Sequence, residues 1–74
     1  MDVEKRIKDD INLFHKNVKE MKLEKNDSKI GEIVRLATNY CEDANFYLKK
    51  KDYVTAFGCI NYAHGLLDAI RKMK

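Results

Sequence analysis

The chain has 74 residues with no proline, three glycines and two cysteines, and 36% of its side chains are charged. A chain this short holds one domain with a small core, which leaves no room for a multi-part enzyme with a separate cofactor domain. Fifteen Lys and Arg against twelve Asp and Glu give +3, spread over both halves of the chain, so no basic arm argues for nucleic acid. The lack of proline argues against collagen, linker and turn-rich β composition. The opening residues carry no apolar signal-peptide core, and no apolar run approaches the ~20 residues that span a bilayer. Cys41 and Cys59 have no framework spacing. These features predict a cytoplasmic chain with reduced thiols and no membrane segment.

Apolar residues then recur with helical period. Val3, Ile7, Ile11, Phe14, Val18 and Met21 step by three and four, a narrow stripe that predicts a first helix over about 2–25. Leu13 and Leu23 fall off that stripe. Asn26, Asp27 and Ser28 are turn and N-cap types. A second stripe, Ile30, Ile33, Val34, Ala37, Tyr40, Cys41, Ala44, Tyr47 and Leu48, predicts a helix over about 29–49. It ends at Lys49-Lys50-Lys51, where cations suit the negative end of the helix dipole. Asp52 is placed to cap a third helix over about 53–73. That helix is apolar around roughly two thirds of its circumference, as expected of one that touches more than one neighbour. The expected fold is an all-α, three-helix up-and-down bundle of one domain, residues 1–74.

The short link between the second and third helices makes them a tight antiparallel hairpin. With the turn centred at residue 50, Tyr47 faces Tyr53, Ala44 faces Ala56 and Tyr40 faces Ile60. Farther along, Ala37 faces Ala63, Ile33 faces Leu67 and Ile30 faces Ile70. The paired alanines allow close approach of the axes, and larger residues fill the ends. Cys41 and Cys59 share a height but lie on opposite flanks, which predicts two free thiols.

The hairpin has two apolar flanks. One carries Val34, Cys41, Leu48, Phe57 and His64. The other carries Leu36, Tyr40, Tyr47, Cys59, Tyr62, Leu66, Ala69 and Met73. The first helix has one narrow stripe to cover one of them. Its expected place is the Val34/Phe57 flank, leaving the tyrosine flank as a partner surface: Leu36, Tyr40, Tyr47, Tyr62, Leu66 and Met73. In the alternative arrangement the first helix lies across the tyrosines.

Two resemblances bear on this. The run from Lys51 to Ala63 looks like the second half of a tetratricopeptide unit: Asp52-Tyr53, Ala56, Ile60 and Ala63 fall where that repeat has its turn, small, large and small residues. Tyr40, Ala44 and Tyr47 fit its first helix, so the likeness covers the 37–70 hairpin. Only one copy is present, Asp68 stands where the repeat closes with proline, and arrays need about three units. The longer run from Ala44 through Phe57, continuing from Ile60 to Ala69, resembles the small archaeal family catalogued as domain of unknown function 357. That resemblance covers nearly the whole chain, most weakly over residues 1–27. It implies a compact bundle of three up-and-down helices in an archaeal cytoplasmic protein, and it transfers no activity.

Residues with catalytic or ligating chemistry are sparse. His15, Cys41, Cys59 and His64 are zinc ligand types without zinc spacing. His64 and Asp68, at i and i+4, suit a boundary histidine bonded to a neighbouring carboxylate, with no nucleophile placed to use the pair. No phosphate-cradling glycine loop is present. No catalytic residue, cofactor or metal is therefore expected. Gly58 and Gly65, seven apart on the polar wedge of the third helix, fit either a solvent face or a close approach by another backbone. The expected role is a non-catalytic helical interaction module that self-associates or docks a protein partner through its apolar, tyrosine-rich face. The alternative is a small accessory RNA-binding protein using lysines of the 49–51 turn and the first helix.

Overall fold

A computed structural model describes residues 2–21 and 28–72. Three helices follow in chain order: α1 (Val3–Glu20), α2 (Ser28–Lys49) and α3 (Tyr53–Lys72). Among the described residues there is no strand. α2 and α3 pack most closely, and α1 lies against both. This is the all-α bundle with a helical hairpin that the periodicity predicts.

Each helix start has a chemical cause. Asp2 sits in extended backbone, and its carboxylate accepts the Lys5 amide at 3.2 Å. Asp52 does the same for the Thr55 amide at 3.2 Å, while its carbonyl accepts the amide of Ala56. Both satisfy donors that the first helical turn leaves without intrahelical partners. Ser28 is the first residue of α2; Asn26 and Asp27, the other expected cap types, lie outside the described residues.

α1 stops at Glu20, with Met21 extended. The expected end near residue 25 falls in the stretch that is not described, as does Leu23. Within α1 the stripe behaves as its spacing requires. Ile7, Ile11 and Phe14 are buried, Val18 and Met21 are half-buried, and only Val3, the first residue of the helix, faces out. Leu13, off the stripe, is exposed.

The hairpin turn is tighter than its composition suggests. The Asp52 amide reaches back to the Tyr47 carbonyl at 2.9 Å, and the Lys51 amide to that of Leu48 at 3.0 Å. Those two bonds close α2 as a Schellman motif, which puts the next residue into left-handed backbone. That residue is Lys51, with φ of 63°. Glycine usually fills this position because a Cβ is disfavoured there.

Alternate layers of alanine hold the hairpin together. Ala37, Ala44, Ala56 and Ala63 are all fully buried, with Ile30, Ile60, Leu67 and Ile70 around them. The remaining members of the expected pairs, Ile33, Tyr40, Tyr47 and Tyr53, are half-buried against the same core. The ring of Tyr40 meets the edge of Tyr62 at 4.6 Å, close to the height at which the register sets Tyr40 against Ile60.

Candidate interaction surface

Three contacts place α1. The Arg6 guanidinium lies over the Phe57 ring at 5.5 Å. The Nε2 of His64 is 2.8 Å from the main-chain carbonyl of Asp10, and the Phe14 ring packs edge-on to His64 at 5.9 Å. On the α2 side, His15 Nε2 lies 3.8 Å from the Cys41 sulfur. Phe57, His64 and Cys41 all belong to one flank of the hairpin, so α1 covers the Val34/Phe57 flank.

These contacts also settle what the histidines do. A carbonyl only accepts, so His64 must donate from Nε2. Its partner is the backbone of α1, where the sequence suggested the carboxylate of Asp68. His64 therefore ties α1 to α3 through a polar bond next to a buried ring. Cys41 is 1% exposed, and burial, helped by nearby Glu42, pushes its thiol up to about 11. A nucleophilic cysteine needs the opposite shift, toward thiolate at neutral pH. Beside His15, this sulfur is a small buried hydrophobe with a weak polar contact. Cys59 is half-buried and also free; burial and then Asp43 and Asp52 raise its thiol. Among the described residues, no three of His, Cys, Asp and Glu gather as a metal site.

With α1 on the other side, the tyrosine flank has no covering element among the described residues. Leu36 is 44% exposed and Tyr62 52%, and Tyr40, Tyr47, Cys59 and Leu66 are half-buried between them. Met73 lies outside the described residues. The other five predicted positions thus share one side of the hairpin, drawn together by the Tyr40–Tyr62 ring contact. Along this side α3 carries no Asp, Glu, Lys or Arg from Tyr53 through Leu67.

Two further surface features emerge. A groove of about 460 Å³ lies between the starts of α1 and α3, lined by Val3, Arg6, Tyr53, Val54 and Phe57. Val54, 87% exposed, stands on its rim. The groove is not legible in the sequence, where Val3 falls on the stripe expected to be buried, whereas Val3 is 45% exposed. Phe46, pointing away from the core of α2, has the Lys50 ammonium over its ring at 4.9 Å. Gly58 and Gly65 are exposed, and a Cβ at either would meet no atom within 4 Å. A mid-helix glycine costs up to about 1 kcal/mol against alanine. No backbone approaches them within the described chain, so nothing there requires glycine.

A family model described as "Protein of unknown function (DUF357)" matches residues 9–74. The chain belongs to that family. The DUF357 match begins within α1 and takes in all of α2 and α3, so it includes the hairpin and both flanks. No curated protein matches the chain. Membership of DUF357 fixes no activity, so a functional reading has to come from the surface itself. No described helix is long and apolar enough to cross a membrane.

Proposed function

We propose that the chain is a non-catalytic interaction module, acting in the cytoplasm of an archaeal cell, that docks a protein or a second copy of itself through the tyrosine flank. One observation carries this reading: α1 is seated on the opposite flank, leaving Leu36, Tyr62 and their half-buried neighbours Tyr40, Tyr47 and Leu66 as one apolar side. Tyrosines present a large apolar body and a polar tip, which suits a surface that is wet when free and buried when bound. The chemical side chains support the non-catalytic part. His64 is engaged by the Asp10 carbonyl, and the Cys41 thiol is buried and held protonated.

The alternative, RNA contact by lysines of the 49–51 turn and α1, has one local feature in its favour: Phe46 with Lys50 above it is an exposed aromatic beside cations, as single-stranded RNA sites use. Both readings are tested by capture on the immobilised full chain from native lysate, with and without nuclease and across a salt series. The docking reading expects bound protein that resists nuclease and is lost from Tyr62→Glu and Leu66→Glu while both variants keep their helicity. Capture that vanishes with nuclease and falls steeply with salt assigns the lysines instead. If Tyr62→Glu unfolds the isolated chain, that flank is core and the docking reading fails.

A further inference from the structure

We draw no further inference here: the strongest candidate, the apolar groove between the starts of α1 and α3 lined by Val3, Arg6, Tyr53, Val54 and Phe57, carries none, because Arg6 on its wall also borders a hollow lined by Asp2, Asp9 and Asp10, so its charge selects no ligand, and nothing in the structure shows what covers the groove.

Discussion

Replacing Phe14 by alanine tests whether α1 is seated as described. Phe14 is fully buried, and with Ile7 and Ile11 it makes up the buried part of α1. Its ring touches His15 and His64 edge-on at 5.7 and 5.9 Å. Burying a phenylalanine contributes about 1.5–3 kcal/mol by transfer alone. The cavity left behind adds to that, so Phe→Ala in a closed core costs about 3–5 kcal/mol. The ring also shields the bond between His64 and the Asp10 carbonyl, and exposing that bond to water weakens the second tie between α1 and α3. Domains hold roughly 0.05–0.15 kcal/mol per residue, or about 4–11 kcal/mol for this length. The substitution therefore removes a large share of the total. Urea unfolding followed by circular dichroism should show the midpoint falling by at least about a quarter, with His64 exchange-broadened or shifted in NMR spectra. Tyr62→Ala, removing a half-exposed ring on the other flank, should cost no more than about 1 kcal/mol. A loss below about 1.5 kcal/mol for Phe14→Ala, or an equal loss for Tyr62→Ala, would refute the placement of α1.

Other consequences follow from single residues. Lys51→Gly relieves a Cβ in left-handed backbone and should raise stability by about 1 kcal/mol, read as a higher urea midpoint; a fall would mean that the Schellman turn is not formed. At pH 8 a thiol reagent should modify Cys59 quickly and Cys41 only at the rate of unfolding, since Cys41 is buried and Cys59 only partly so; equal rates would show that α1 does not cover Cys41. The raised thiol of Cys41 also links stability to pH. Up to about pH 8, below the ordinary thiol value of 9.0, it is protonated in the folded and unfolded chain alike and makes no difference to stability. Between pH 9 and about 11 the unfolded thiol ionises while the folded one does not, so stability falls by about 2–3 kcal/mol over that window. Cys41→Ala should remove that part of the fall.

Some of this architecture was legible in the sequence for identifiable reasons. The hairpin register could be read because alanines recur at matching distances from one short turn, Ala37 with Ala63 and Ala44 with Ala56, with large residues paired between and beyond them. Asp52 could be read as a cap because it directly precedes an apolar run. Lys51 could not be read as the left-handed residue: the usual marker is glycine, and here the two main-chain bonds to Tyr47 and Leu48 impose the conformation on a residue that resists it. The His64 bond was invisible for a different reason. Its acceptor is a backbone carbonyl on another helix, and sequence spacing finds only side-chain partners on the same helix.

The covered flank also explains why the chemistry of the chain is so quiet. The Val34/Phe57 flank holds the residues that need specific neighbours: a histidine, a thiol and an aromatic ring. α1 supplies each of them, with the Asp10 carbonyl, His15 and the Arg6 guanidinium. The tyrosine flank makes no such demand: the Tyr40 and Tyr62 rings meet edge-on within the hairpin itself. A narrow helical stripe can close only one side of a two-helix hairpin, and the side with unsatisfied polar groups gains more by being closed. The surface left over is accordingly apolar, with no charged residue on α3 from Tyr53 through Leu67. Those are the properties on which the proposed docking role rests, and a hairpin with only one further described helix to cover it keeps one flank open.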